Sequence, residues 1–288
     1  MFVTELVRRL ERRCVFWWEP KDGAPNVGDY LARVLVAQIL QLADREILDK
    51  RDRRRRLFAI GSVLHFARDG DTVWGSGVNG KVDPAAHRFA RLDVRAVRGP
   101  LTRAFLLARG IACPPVYGDP ALLAPRLWPA QWVADERGTL DFVVVPHLND
   151  PPARYSGFGE RVCSPRQYPA AFIRRLLRAQ RVVSASLHGV ILAEAYGLPA
   201  VLLDSGGSET RLKYDDYYQG TGRHDYPVAQ SVGAALALPA APPPAAALEA
   251  AATRLLRAFP WDLWDAPPGA AVPGGAIPDD APARSARA

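Results

Sequence analysis

Cysteine is scarce in this chain. Cys14, Cys113 and Cys163 are widely separated among 288 residues and odd in number, which argues against a disulfide framework and a thiolate metal site and predicts reduced, structural thiols. The five histidines and the carboxylates show no ligand spacing, so neither metal nor cofactor is expected. Long apolar runs are missing as well: nothing approaches the roughly 18 residues a bilayer span needs, and the start MFVTELVRRLERRC lacks the apolar core of a signal peptide. A cytoplasmic protein is the expectation. Zinc-finger spacing, an aromatic sheet signature and a recognition helix are absent too, which excludes the usual nucleic-acid modules and leaves a net charge of +7 asking for another partner.

What is present is ordinary globular material, 49% hydrophobic and 23% charged, in a chain longer than most single domains. Two domains are expected, residues 1–125 and 140–264, joined by the Pro-rich stretch 125–138 and followed by a Pro, Gly and Ala tail, 265–288, predicted to be disordered. The positive charge is local. Arg8, Arg9, Arg12 and Arg13 interrupt an apolar helical spacing of Leu6, Val7, Leu10 and Cys14, and a second run holds Lys50, Arg51, Arg53, Arg54, Arg55 and Arg56. An anionic membrane surface would be attracted by such patches; a merely solvated face fits them equally.

Around Arg181–Leu203 the pattern is strand, polar turn, helix, strand: Arg181–Val183, the turn Ser184–Leu187, a helix His188–Tyr196 stopped by Gly197, then Ala200–Leu203. Ligands of α/β proteins bind at such first turns, where helix N–H groups and the dipole favour a phosphate or carboxylate. His188 stands where an acid or phosphate donor would be useful, and also where a histidine would simply cap or pack. Similar turns recur. An apolar strand, Val15–Trp18, leads through a turn-rich loop to Asn26, Gly28 and Asp29 before a helix marked by Leu31 to Leu42; Asp29 reads as an N-cap or as part of a site, and Gly28 as backbone geometry. Strands 57–60 and 71–74 follow, the latter ending at Gly75, Ser76 and Gly77. After strand 93–97, Arg98 precedes a helix opened by Pro100. Strand 141–146 ends at His147, a helix spans 168–179, and the charged, tyrosine-rich loop 204–218 suits saccharide hydroxyls. A last helix, 245–259, brings Trp261 and Trp264 to fasten the chain end.

The segments Asn26-Val-Gly-Asp29, Arg98-Gly-Pro-Leu-Thr102, Gly118-Asp-Pro120 and Ser186-Leu-His-Gly189 with Glu194-Ala-Tyr-Gly-Leu-Pro199, in order over residues 15 to 220, resemble the polysaccharide pyruvyl transferase family. FWWEPKDGAPNVGD, YGDPALL and KYDDYY resemble, within it, the ketal pyruvate transferases of xanthan assembly. The resemblance implies two Rossmann-like domains facing a cleft, as in GT-B glycosyltransferases. It also implies phosphoenolpyruvate as donor substrate and, as acceptor, a terminal mannose on a polyprenyl-diphosphate-linked repeat unit, hence a peripheral place on the cytoplasmic face of the inner membrane.

Such chemistry needs a general acid, a base and anion-binding groups. His188 and Asp29 are the catalytic candidates. Arg98, Ser186, His188, Gly189, Lys213 and Arg211 are those for the donor, and Asn26, Asp29, Ser76, His147, Tyr214 and Asp215 those for the acceptor. His65 is a weaker candidate. The family motif has an arginine where this chain has Ser186, and Lys213, Arg211 or Arg95 are the replacements in reach. A nucleotide-sugar glycosyltransferase could share this architecture, and a non-catalytic polysaccharide-assembly protein is the third reading.

Overall fold

The computed structural model describes residues 2–134, 136–204, 206 and 210–265. Among the described residues, eight short strands form two parallel sheets. The first is β1 (Val15–Phe16), β2 (Leu57–Phe58), β3 (Thr72–Trp74) and β4 (Asp93–Ala96), paired in that order; the second is β5 (Val143–Val145), β6 (Val182–Ser184), β7 (Ala200–Leu203) and β8 (Val228–Ala229), likewise in chain order. Every pairing is parallel. Neither sheet shows the reversal of strand order that marks a doubly wound dinucleotide fold. The strands are legible because parallel sheets are buried on both faces and read as unbroken apolar runs: Val143–Val145, Val182–Ser184 and Ala200–Leu203 are buried throughout.

The principal helices follow the apolar periodicity: Phe2–Cys14, Val27–Gln41, Pro100–Ala108, Pro169–Leu177, Leu187–Ala195 and Ala245–Arg257. Pro100 and Pro169 each occupy a first-turn position, where a missing N–H costs nothing. Three stretches depart from expectation. The Val27–Gln41 helix starts at the polar trio instead of after it, so Asn26 is its N-cap and Asp29 lies within its first turn. The connection near 125–138 is packed, with single-turn helices Ala124–Leu127 and Ala130–Val133 flanking a fully buried Trp128. The expected loop around 212–218 is the helix Leu212–Gly220.

One apolar cluster runs through both halves, from Cys14 and Trp17 to Trp264. Residues 245–265 come late but pack on the first sheet: the Trp74 indole donates to Leu255 O at 2.8 Å, and the Trp264 indole donates to Ile47 O at 3.2 Å. All three cysteines are free and buried. Much of the arginine-rich charge is internal business. Arg8 and Arg12 bind Glu19, Arg56 binds Asp71, and Lys50 is buried, its ammonium donating to Asp52 O and lying 5.9 Å from the Trp264 ring. No helix among the described residues is long and apolar enough to cross a membrane. The expected tail, from residue 266 onward, lies outside the described residues.

Candidate active site

Parallel strands all deliver their carboxyl ends to one edge, and ligands of open α/β sheets bind there. Here a cavity of about 310 Å³ is lined by residues that follow the strands of both sheets: Trp18 after β1, Ser62 and Phe66 after β2, Asn79 and Lys81 after β3, His147 and Asn149 after β5, and Ser186 and His188 after β6. Asn26, Asp29, His65 and Lys213 complete its polar lining.

Asp29 is nearly out of solvent, and burial pushes its carboxyl up to about 6; His188, the Asn26 hydrogen bond and Lys213 pull in the opposite direction, and Asp119 adds a further upward push. The Asn26 side chain, at the N-cap position, makes no cap bond. Its side-chain amide instead donates to Asp29 Oδ2 at 2.5 Å, fixing the carboxylate. A carboxyl poised near 6 can both hold and accept a proton at neutral pH.

His188 is the second residue of the Leu187–Ala195 helix. Its Nε2 stands 3.5 Å from Asp119 Oδ2, and neither buried atom has a hydrogen-bond partner among the described residues. Asp119 Oδ1 is occupied by the Ala121 N–H at 2.9 Å, which holds the carboxylate toward the imidazole. The other ring nitrogen packs on Gly28, where a Cβ would fall 1.9 Å from Nδ1. Gly28 is therefore glycine for close approach, not for an unusual backbone angle. At the same helix start, Ser186 is the N-cap by position, but its hydroxyl makes no cap bond, so the first N–H groups face the cavity edge without a side-chain acceptor.

These residues lie inside a region that is similar to known proteins. A sequence profile described as polysaccharide pyruvyl transferase matches residues 26–207. The chain belongs to that family. It is 29% identical over 218 residues to the succinoglycan biosynthesis protein ExoV of Rhizobium meliloti (strain 1021), which covers 72% of this chain and 64% of that protein. The chain thus spans a little under two thirds of that relative's length. No solved structure matches it.

For this member of the polysaccharide pyruvyl transferase family, the structure gathers Asn26, Asp29, His147, Ser186, His188 and Lys213 at one cavity. It places the other candidates elsewhere. Arg98 is fully buried: Nε donates to Asp216 Oδ2 at 3.0 Å, one terminal nitrogen to Val78 O at 2.9 Å and the other to Ser62 Oγ at 2.5 Å. Its guanidinium stands behind the wall and meets the cavity through Ser62. Ser76 is buried with its hydroxyl on Gly61 O; Gly77 leaves room for the Arg98 guanidinium, 2.4 Å from where a Cβ would sit. Gly189 packs against Ser184 Oγ, Tyr214 is buried with its hydroxyl on Ala185 O, and Asp215 accepts from Tyr226. Arg211 is exposed and bonded to Tyr226, and Arg95 is held by Asp93 and Asp262. Neither replaces the arginine missing at Ser186; Lys213 and Lys81 are the cations that line the cavity. Trp18, Ser62, Phe66, Asn79, Lys81, Asn149 and Asp119 were not singled out by sequence. Asp119 had a signal, the Gly118-Asp-Pro120 turn that caps a 3-10 segment, whereas Phe66 ends the short 3-10 segment Leu64–Phe66 and the rest sit on loops without local pattern.

Proposed function

We propose that this chain transfers pyruvate from phosphoenolpyruvate to a sugar carrying two suitably placed hydroxyls, forming a cyclic ketal in exopolysaccharide assembly. The observation that carries the reading is the meeting of Asp29, His188 and Lys213 in one cavity lined by residues that follow strands of both sheets, within the stretch that identifies the family or immediately after it.

Phosphoenolpyruvate brings a phosphate and a carboxylate. Lys213, Lys81 and the Leu187–Ala195 helix start supply cationic and N–H partners for two anions. His188 gives a proton to the donor's methylene carbon, which becomes a methyl group, while the adjacent carbon turns electrophilic and takes a sugar oxygen. Asp29 receives that hydroxyl's proton. The second hydroxyl then forms its bond to the same carbon as the carbon–oxygen bond to phosphate breaks; phosphate leaves with the bonding electrons, and the second hydroxyl's proton departs with it. Asp119, facing His188 Nε2 at 3.5 Å, positions the ring for that transfer.

For the acceptor we propose a terminal mannose bridged at O-4 and O-6, on a lipid-linked repeat unit of a xanthan-like polymer; the name of the Rhizobium relative extends the range to succinoglycan-type acceptors. Enzyme working on such a lipid would stand on the cytoplasmic face of the inner membrane. The test is phosphate release from phosphoenolpyruvate with mannose-terminated acceptors, run beside His188→Ala and Asp29→Ala. Acceptor-dependent release that collapses in both variants supports the reading. No release with any acceptor, together with thermal protection by a nucleotide sugar, would replace it with a glycosyltransferase.

A further inference from the structure

Two neighbouring tryptophans leave β1 on opposite sides. Side chains alternate along an extended segment, and here Trp17 is fully buried with its indole donating to Glu19 Oε1 at 2.7 Å, whereas Trp18 turns to the side of Phe16, is half-buried and lines the cavity. Nothing among the described residues accepts from the Trp18 indole N–H. Because β1 is an edge strand of its sheet, no further strand covers that flank.

Phe66 joins it from the turn after β2. Its ring lies 5.3 Å from Phe16, which stacks on Phe58 at 4.7 Å, so a row of rings buttresses it from behind. The ring is nonetheless 40% exposed, one of few large apolar side chains left so open among the described residues. Val63 extends this wall of the cavity. The second sheet supplies a wall of another kind, with His147, Asn149, Ser186 and His188.

We propose that Trp18 and Phe66 form the platform on which the acceptor's pyranose ring lies. A hexopyranose has one face rich in C–H groups and a rim of hydroxyls. Rigid aromatic rings meet the first at low entropic cost, and Asn26, Asn149 and His147 stand around the same cavity to meet the second. The assignment rests on the transferase reading for the identity of its ligand. It moves the acceptor away from Tyr214, which is buried on Ala185 O, and Asp215, which accepts from Tyr226, and it makes Trp18 a specificity-determining contact that lies outside residues 26–207, where the family profile matches.

Saturation-transfer NMR on the full chain with methyl α-mannopyranoside tests this without requiring turnover. Wild type is compared with Trp18→Ala, Phe66→Ala and Trp18→Phe, with phosphoenolpyruvate-induced thermal protection measured on each. Ring C–H signals are expected to fall about fivefold in Trp18→Ala, less in Phe66→Ala, and to recover in Trp18→Phe, while phosphoenolpyruvate protects all four proteins equally. Mannoside signals that are unchanged in folded Trp18→Ala, or absent from wild type, overturn the platform. So does transfer to a nucleotide's base protons that vanishes in Trp18→Ala. Loss of phosphoenolpyruvate protection in every protein, wild type included, would sink the donor assignment while the mannoside signals still decide the platform.

Discussion

Asp29 carries an electrostatic burden that its position predicts. In an unfolded chain an aspartate titrates at about 3.9, and in the fold burial raises it to about 6. Between those values the folded protein binds more protons than the unfolded one, so stability falls as pH rises through the window and stays level above it. The shift corresponds to roughly 3 kcal/mol when fully expressed. Asp29→Asn removes the titration while an amide oxygen can still accept from Asn26. Urea unfolding should therefore show the variant more stable than wild type at pH 7.5 and little changed at pH 4, with transfer activity lost. Equal stabilisation at both pH values would contradict the assignment. Gly28 is the complementary case. With 1.9 Å between an added Cβ and His188 Nδ1, Gly28→Ala must displace the imidazole from its present place beside Asp119, since overpacking is relieved by moving side chains at a cost of about 1–3 kcal/mol. Loss of most activity with a modest fall in Tm is expected; a Gly28→Ala enzyme with wild-type turnover would show that the His188 geometry is not needed.

Among the elements, the Leu212–Gly220 helix is the least visible in sequence and among the most consequential. Its charges and tyrosines read as a solvent-facing loop, yet Tyr214, Asp216, Tyr217 and Tyr218 are buried. Polar composition misleads here because the partners are distant: Tyr217 donates to Glu194, itself paired with Arg223, and Asp216 binds Arg98. By contrast, the β6 turn and its helix are legible, since buried strands and glycine stops are local signals, and they bring His188 to the cavity. Asp29 was found in the same way, though its helix starts earlier than the apolar period suggests. Lys81 and Trp18 were not, because nothing local tells which loop residue turns inward. Asp216 does several jobs at once. Oδ1 accepts from the Leu101 and Thr102 N–H groups at the start of the Pro100–Ala108 helix, and Oδ2 accepts from Thr102 Oγ1 and Arg98. Asp216→Ala leaves a buried guanidinium and a helix end unpaired, so a loss of about 3–5 kcal/mol is expected from chemical unfolding. Arg98→Met should release the Ser62 hydroxyl as well, and a phosphoenolpyruvate KM that stays at the wild-type value in folded Arg98→Met would show that this link to the cavity is idle.

At the scale of the whole molecule, the shared cluster that includes Trp17, Trp128 and Trp264 couples the two sheets. Calorimetry should show one cooperative transition, with calorimetric and van't Hoff enthalpies in agreement, and two resolved peaks would refute that coupling. Trp264→Ala, which removes a buried ring stacked near Phe259, should lower stability by about 3–5 kcal/mol without dividing the transition.

The return of residues 245–265 to the first sheet has a consequence for synthesis. The flank of Trp74 and the carbonyl of Ile47 receive their partners from Leu255 and Trp264, so a nascent chain holds an unfinished, apolar first half throughout translation of the second. Domains elsewhere consolidate one after another as they leave the ribosome; here the first half is completed only once residues 245–265 have been made.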